Sequence, residues 1–557
     1  MGRTPFLHSI AAKILGAVVV VGMLSVGLTG WQSYRTALPA LEQSSFDRLT
    51  AVRETKKRQV EACFARMRDQ IRTLAEAPET GAVLRELSTG FHAASPQPEA
   101  NDPALRRFYE TEFLPRLQAN LTQPDALDPS WPADPLSRHW QGRYVAGNPY
   151  AVGSKDNLIQ QTNNTAYDLA HAKAHRVFRP FIHRFGFYDM FLVDARSGHI
   201  VYTVHKETDY ATSLLDGPYA GTNIGRLFRD ALQSADRQFC QLTDYEAYRP
   251  SYSAPAAFIG APVFDGEDKI GVLLVQVPVN EINRVMTGDQ HWAHEGLGET
   301  GETYLLGPDF RMRTDSRFLL EDTEGFVKVL QGLNRPAAEI EPIRRLKTTI
   351  LNLEVRTEAA MDALEGTRQT RIIRDYRQEP VLSSWTPLDI PDVKWVLLSE
   401  MDVSEAFAPI AALRSRLLWT SAGLLLPVLG LGWLLASSFA GNARRLLQGI
   451  QRVRSGALND NINIGSHDEL GAVADAFNDM ASELQSTTVS KDYVDSVINS
   501  MNDVLLVAAC VPGTKPDDTG AELLISDANP CALRLLGRSL AEVRGLPLRE
   551  FLRPGAG

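Results

Sequence analysis

Leu417–Ala440 reads LLWTSAGLLLPVLGLGWLLASSFA, twenty-four residues without a charge. As a helix rising ~1.5 Å per residue it reaches about 36 Å, enough to cross a hydrocarbon core. Pro427 and three glycines inside it are tolerated in lipid more readily than in a soluble helix. A second run, Ile14–Trp31 (ILGAVVVVGMLSVGLTGW), is eighteen residues without a charge. It reaches about 27 Å at the same rise. A cleaved signal peptide is the competing reading of this run. The run is longer than a usual apolar core of a signal peptide, and no small-x-small cleavage site follows at once, so an uncleaved anchor is expected.

Around these runs the composition is ordinary. The chain has 557 residues, is 44% hydrophobic and 22% charged, and carries a formal net charge of −10. The length predicts three or four domains, and the apolar fraction excludes collagen-like and wholly disordered chains. An acidic balance argues against a nucleic-acid partner. Four cysteines are too few for a disulfide scaffold or a Cys-rich metal module.

Basic residues near the span ends set the expected orientation. Arg3, Lys13, Arg444, Arg445, Arg452 and Arg454 lie on one side, and Arg35, Arg414 and Arg416 on the other. The excess places both termini inside, residues 32–416 outside and 441–557 inside. Residues 1–13 are then a cytoplasmic N-terminus, 14–31 the first span and 417–440 the second. Cys63 and Cys240 fall outside, Cys510 and Cys531 inside. A Cys63–Cys240 bridge and two free buried thiols are both open.

In the outside segment, Val60, Phe64, Met67, Ile71 and Leu74 recur at spacings of 4, 3, 4 and 3, after Phe46 and Leu49. This is a helical stripe, with Glu54, Lys56, Lys57 and Arg58 expected on the other faces. Residues 92–165, richer in Pro, Asn and Asp, read as helix–loop insertions. Then the period shortens. Phe187–Asp194, His199–Val204, Ala257–Phe264 and Ile270–Val279 are apolar runs rich in Val, Ile, Phe and Tyr, separated in pairs by Arg196-Ser197-Gly198 and Asp265-Gly266. That pattern predicts antiparallel hairpins. A second set is expected at Glu302–Leu306, Arg311–Thr314, Val381–Leu388 and Lys394–Met401, with helix and loop over 322–366.

These residues resemble a family. GETGETYLLGPDFRMRTDSR (Gly298–Arg317) is similar to the opening of the second module of double Cache sensor domains, and TRQTRIIRDYRQEPVLSSWTPL with KWVLLSEMD to its closing strands. YDMFLVDARSGHIVYTVHKE and SAPAAFIGAPVFDGEDKIGVLLVQVPV resemble the first, membrane-distal module. The resemblance covers roughly residues 40–410, and implies a distal module at about 90–287 and a membrane-proximal one at about 288–405. It implies a ligand in the distal module, between its sheet and the loops above. Members that bind amino acids use an Arg-x-Trp-Tyr-like set for the carboxylate and an Asp on a late strand for the amine. The distal module here lacks the first, and Gln276 stands where that Asp belongs, which argues against an α-amino acid. The candidate ligand set is therefore Tyr202, Lys206, Asp244, Tyr245, Tyr248, Tyr252 and Gln276: rings with polar tips for a small, partly polar molecule, with Lys206 suited to an anion. The competing reading is that these tyrosines cover the sheet and bond to backbone.

Two other motifs carry less. Gly296, Gly298 and Gly301 match G-x-G-x-x-G, but the strand-like ETYLL follows the glycines instead of a helix, the wrong order for a dinucleotide site. His291 and His294 could share a helix face, but no third ligand stands at metal spacing. No catalytic motif, metal site or cofactor is expected.

Inside, Leu447, Ile450 and Val453 form one short stripe, and Leu470, Val473, Phe477, Met480 and Leu484 a second at spacings of 3, 4, 3 and 4. Such seams need a partner helix. Two such helices with a Gly/Asn-containing connector after a membrane span resemble a HAMP domain, at 441–490, with HDELG (His467–Gly471) opening its second helix; a proline usual near the start of the first helix is replaced by Leu446-Leu447-Gln448. The resemblance implies a homodimer, because two helices complete a four-helix bundle only with a second copy. Residues 491–557, with ISDANPCALRLLGRSLAEVRGLPL, are similar to the first half of a PAS domain, whose remaining strands are expected beyond Gly557.

The expected fold is an α+β membrane protein: two tandem PAS-like antiparallel sheets behind a long helix outside, two transmembrane helices, and a HAMP coiled coil with a partial PAS fold inside. The expected function is a receptor of a bacterial inner membrane that binds a small extracellular ligand and relays a conformational change to a cytoplasmic output, with Pro427, Glu469, Leu470 and Phe477 in the relay. The alternative is the sensor part of an enzyme, a histidine kinase or a diguanylate or adenylate cyclase, whose catalytic domain lies past residue 557. A periplasmic hydrolase lacks any nucleophile–base motif.

Overall fold

The computed structural model describes residues 10–96, 98–121, 129–457, 459–510 and 523–551; Arg3 and the Cys510 side chain lie outside the described residues. The chain divides into two compact units, Ser33–Ser415, and Met1–Gln32 with Arg416–Gly557.

In the Ser33–Ser415 unit, the apolar stripe lies on the helix Ile10–Glu76. Leu49, Val60, Phe64, Met67 and Ile71 are all buried. The charged residues divide differently from expectation. Lys56 is 1% exposed; its Nζ donates to the Val285 carbonyl at 2.6 Å and pairs with Glu295 at 3.3 Å. A lysine can line a buried face when its stem packs and its ammonium finds acceptors.

The distal module holds β1 (Met190–Asp194), β2 (Ile200–Thr203), β3 (Gln241–Leu242), β4 (Glu246–Tyr248), β5 (Ala254–Ala256), β6 (Phe258–Asp265) and β7 (Asp268–Gln276). Five of these form an antiparallel sheet in the order β2-β1-β7-β6-β3, and β4 pairs with β5 apart from it. Both hairpin turns read from the sequence are present. Gly198 and Gly266 sit in the left-handed region with φ of +70° and +63°, the conformation these turns demand. The sheet is buried on both faces. Met190, Leu192, Leu273 and Val275 pack toward the long helix and the helices Pro78–His92 and Ala166–Phe185. Phe191, Val193, Val272 and Leu274 pack against the helix Asn223–Gln233.

The proximal module holds β8 (Glu302–Leu306), β9 (Gln369–Arg374), β10 (Pro380–Pro387) and β11 (Val396–Asp402) in the order β8-β11-β10-β9. Arg311–Thr314 is not a strand: Arg311 and Met312 make only single bridges, to Glu354 and Leu306. The fourth place in the sheet goes to β9, which the apolar runs did not mark because only Ile372 and Ile373 interrupt its polar residues, although it lies within the TRQTRIIR stretch whose resemblance was to closing strands. Helices Thr323–Gly332, Ala337–Leu346 and Glu358–Leu364 fill the connection. Cys63 and Cys240 are buried free thiols, and burial pushes Cys240 up to about 11.

In the other unit, two helices are long and apolar enough to cross a membrane. Their apolar windows have mean hydropathies of 2.0 and 1.8 and are 0% and 11% buried, unlike a soluble core helix. Small residues let the runs approach: a Cβ on Gly22 would lie 2.6 Å from Val428, and one on Gly432 3.1 Å from Val18. The helix Ala408–Arg454 and the helix Glu469–Ser500 flank a connector whose Ile462 and Ile464 are buried with Ala474 against Leu446, Ile450, Leu470 and Phe477. Asn478 holds the connector, accepting from the Ile462 amide at 2.7 Å and donating to its carbonyl at 3.1 Å. Asp468 caps the second helix through the Leu470 and Gly471 amides. Val473, Met480 and Leu484 stay exposed. β12 (Leu506–Cys510) and β13 (Leu523–Ala528) pair antiparallel before the short helices Pro530–Leu536 and Leu540–Val543.

A carboxylate pair marks the proximal sheet. Glu302 on β8 stands opposite Glu400 on β11, and both are buried. Glu302 accepts from Tyr376 at 2.6 Å and Ser316 at 3.0 Å; Glu400 accepts from Tyr304 and Ser383, both at 2.8 Å. Burial pushes Glu302 up to about 7, and burial with the Asp375 charge pushes Glu400 up to about 8. The folded chain therefore holds protons that the unfolded chain releases near the ordinary glutamate range. Their contribution to stability falls as pH rises from about 4.5 to about 8. Glu400→Gln is expected to flatten that decline: between about pH 5 and about pH 8 its melting temperature should drop less than that of the parent chain. Equal slopes would refute the assignment.

Candidate functional site

Cross-strand alternation puts a polar patch on the distal sheet face that looks away from the long helix. Asp189 precedes β1 and pairs with Gln276 at the end of β7, the Gln276 amide donating to the Asp189 carbonyl at 2.9 Å. Both share parity with Phe191 and Leu274, which belong to that outer core. Over this floor lies the loop after β2, carrying Lys206, Glu207 and Asp209, and the β4–β5 hairpin, carrying Tyr248, Ser251 and Tyr252. Lys206, Ala211, Tyr252 and Ser253 all adopt left-handed φ, between +56° and +66°. Four such non-glycine residues in two loops that face one patch are conformational strain held at a site.

The carboxylates converge here. Asp189 Oδ1 accepts from the amides of Met190, Val204 and His205 at 2.7, 2.9 and 3.2 Å. Asp209 Oδ2 accepts from Tyr248 at 2.7 Å. Glu207 accepts from Tyr188 at 2.8 Å and from Ser251 at 3.0 Å. Gln276 Nε2 donates to Ser251 at 3.5 Å. The remaining oxygens, Asp189 Oδ2, Asp209 Oδ1 and Gln276 Oε1, are buried without a partner. Burial is the main cause of raised carboxyl pKa values at Asp189, Glu207 and Asp209 and of a lowered one at Lys206. Beside them Tyr188, His205, Lys206, Glu207, Tyr252 and Phe113 line a cavity of about 180 Å³. On the other side of Tyr188 and His205 a groove of about 560 Å³ reaches Ser251 and Gln276.

The residues named from the sequence fall into three places. Tyr248, Tyr252 and Gln276 belong to this patch. Tyr202 is buried on the helix side, bonded to His175 Nδ1 at 2.9 Å. Lys206 borders the cavity, but its Nζ donates to the Thr203 and Val204 carbonyls and lies 4.8 Å from the Tyr202 ring centre, so it is not a free anion ligand. Asp244 and Tyr245 join the two modules instead. Asp244 takes a bidentate pair from Arg313 (2.6 and 2.8 Å) and the Trp395 indole N–H at 2.9 Å, while Tyr245 stacks on Trp395 with centroids 5.6 Å apart. Asp189, Glu207, Asp209 and Ser251 escaped the sequence reading. Their one signal was Asp189, a charge inside the apolar run FYDMFLVD.

In the glycine-rich loop the Glu299 and Thr300 amides donate to Glu405, both at 2.7 Å. Strand β8 follows it. His291 and His294 stack on each other with centroids 5.7 Å apart. Among the described residues no three His, Cys, Asp or Glu side chains are placed to share a metal ion.

Comparison with known proteins gives one family match, the HAMP domain, over residues 434–486. No curated protein matches the chain. Solved structures similar to it include the ligand-binding domain of the Pseudomonas aeruginosa PAO1 amino-acid chemoreceptor PctC with GABA: 15% identity, 47% of this chain and 92% of that one, TM-score 0.26. The ligand-binding domain of the Pseudomonas fluorescens chemoreceptor CtaA with L-leucine is 11% identical over 56% of this chain and 94% of its own, TM-score 0.25. That of the Campylobacter jejuni chemoreceptor Tlp3 with 4-methylisoleucine is 7% identical over 66% and 94%, TM-score 0.30.

The Asp244–Arg313 pair is testable as a tie between modules. Arg313 is 3% exposed and also pairs with Asp309 at 2.9 Å. Asp244→Ala is expected to cost about 2 kcal/mol in a denaturant titration, less than a wholly buried pair because Asp309 remains and Asp244 is partly exposed. Asp309→Ala should cost less than about 0.5 kcal/mol; the reverse order would refute the tie.

Proposed function

We propose that the chain is a bacterial inner-membrane receptor acting as a homodimer, whose distal module binds a small molecule on the outer face of its sheet. The signal passes through the proximal module and the second apolar helix into the HAMP domain, and from there to a cytoplasmic output. Residues 32–416 are outside and 441–557 inside in this reading, with residues 491–557 the N-terminal part of a PAS domain. The observation that carries it is one unbroken helix, Ala408–Arg454, which begins three residues after Glu405 and overlaps the HAMP match from residue 434.

Ligand closure at the distal patch changes how the two modules meet across Asp244, Arg313 and Trp395. The proximal sheet ends at Asp402, and Glu405 ties the next turn back to the amides of Glu299 and Thr300, so movement of the module moves the helix start. A displacement of about an ångström or two is what such transducing helices need. Pro427 shapes the helix within the span. In HAMP, Leu470 and Phe477 pack on the connector and Glu469 opens the second helix, so a shift there selects between packings. The exposed Val473, Met480 and Leu484 form the seam that a second copy covers.

Two measurements test this. With the four native cysteines replaced by alanine, Leu484→Cys in membranes should form a disulfide-linked dimer under mild oxidation. Adding Glu405→Ala should change the cross-linking rate by at least about twofold, because loosening the helix start alters the HAMP packing. A chain that never cross-links, or a rate indifferent to Glu405, overturns the proposal.

A further inference from the structure

The last rung between β8 and β11 sets two carboxyl groups against each other. Glu302 and Glu400 are direct cross-strand partners at the end of that ladder, and each is 2% exposed. Partners on such a rung hold their Cβ atoms about 5 Å apart, and like charges there push the strands apart. Just past the rung, the two strands meet the contacts that hold the approach to the helix Ala408–Arg454. The Asp402 amide donates to Thr300 Oγ1 at 3.2 Å, and Glu405 accepts from the Glu299 and Thr300 amides.

Every element around the pair can be named. Tyr304 on β8 and Ser383 on β10 donate to Glu400. Tyr376 in the β9–β10 turn donates to Glu302, as do the Ser316 hydroxyl and the Arg317 amide. A hydroxyl can donate to a carboxylate or accept from a carboxylic acid, so these partners serve both protonation states. The two cations beside them are committed elsewhere. Arg317 turns its guanidinium to the Gly298 and Gly301 carbonyls and to Glu321. Arg377 is shared between Asp375 at 2.6 Å and Asp402 at 2.7 Å. Asp315 is occupied by Asn283, Thr348 and Thr349. Asp375, itself buried, adds a further negative charge close to both glutamates. Burial with little compensation favours the neutral acids, which titrate at about 7 and about 8.

We propose that this rung is a proton-operated switch, through which the acidity around the proximal module biases the same helix that carries the ligand signal. With both carboxyls protonated, β8 and β11 stay paired to their ends. Ionisation sends the protons to solvent and leaves two facing negative charges beside Asp375. Their repulsion loosens the rung and, next to it, the contacts of Thr300 with Asp402 and Glu405. The proposal rests on the receptor reading above and adds a second input to it.

Two measurements on the full chain test it. In detergent, the infrared carboxylic-acid C=O stretch should fade as pH rises through about 7 to about 8. Part of that loss should vanish in the double variant Glu302→Gln/Glu400→Gln. Tyr304→Phe removes a donor to ionised Glu400, so its fade should move to higher pH, which keeps the test open if the double variant folds poorly. In right-side-out membrane vesicles buffered inside, the Leu484→Cys chain is oxidised with a membrane-permeant reagent while the outer pH is stepped from about 5.5 to about 8.5. The cross-linking rate should change by at least about twofold in the parent and stay flat, near its low-pH value, in the double variant. A fade identical in parent and double variant overturns the switch. A rate that answers Glu405→Ala but not outer pH also overturns it, and leaves the receptor standing. A chain that never cross-links fails the receptor reading, and the switch falls with it.

Discussion

One helix face carries both modules. On Ile10–Glu76, Leu49 packs with Trp292, Leu382 and Met401 of the proximal module, and Val60, Phe64, Met67 and Ile71 pack into the distal core. Leu49 and Ile71 are about 33 Å apart along a straight helix. A helix of that length is stiff, so the two modules cannot choose their spacing independently. Polar groups on the same face fix the register: Arg53 donates to the Trp385 carbonyl at 3.1 Å, Lys57 to Pro387 at 2.8 Å and Arg68 to Cys240 at 3.0 Å. Lys56 sits at the join, on Val285. A buried lysine there is tolerable only while its acceptors stay in place, which ties the helix to the segment linking the modules.

The two modules use buried carboxylates in opposite ways. Glu302 and Glu400 face each other with every oxygen bonded to a hydroxyl, and Glu302 also to the Arg317 amide at 3.2 Å. Such a closed network rigidifies a sheet. Asp189, Asp209 and Gln276 are equally buried, yet each keeps an open oxygen, beneath loops held in left-handed φ. Polarity is saturated in the proximal module and unsaturated in the distal one.

Much of the fold was legible because it is local. β1, β2, β6 and β7 follow from apolar runs broken by turn residues, and Gly198 and Gly266 sit where those turns require them. The two long apolar helices and the helices of the HAMP match follow from length and from spacings of three and four. The exceptions are long-range. Arg311–Thr314 has strand composition but finds only single bridges, and β9 (QTRIIR) shows no strand period of its own, so only the family resemblance reached it before its pairing with Val381 and Leu382. The candidate patch was half legible. Tyrosines announced it, but the carboxylates that define its charge sit in a loop, ETD after β2, whose burial depends on helices far away in sequence. Asp244 and Tyr245 matched the expected chemistry and belong to the junction, because pairing with Arg313 is decided by how two modules meet.

That junction makes the Ser33–Ser415 unit more than two beads on a helix. Asp244 follows β3, an edge strand of the distal sheet, and grips Arg313, whose segment leads back into β8. β8 pairs with β11, and β11 ends at Asp402. Glu405 then closes the circuit onto the loop before β8. From the edge of the distal sheet to Glu405, each step is a paired strand, a backbone hydrogen bond such as Arg313 N–H to the Leu305 carbonyl, or a charge-assisted contact. A path without slack passes on small displacements. The packed cores on either side resist gradual deformation and favour switching between arrangements.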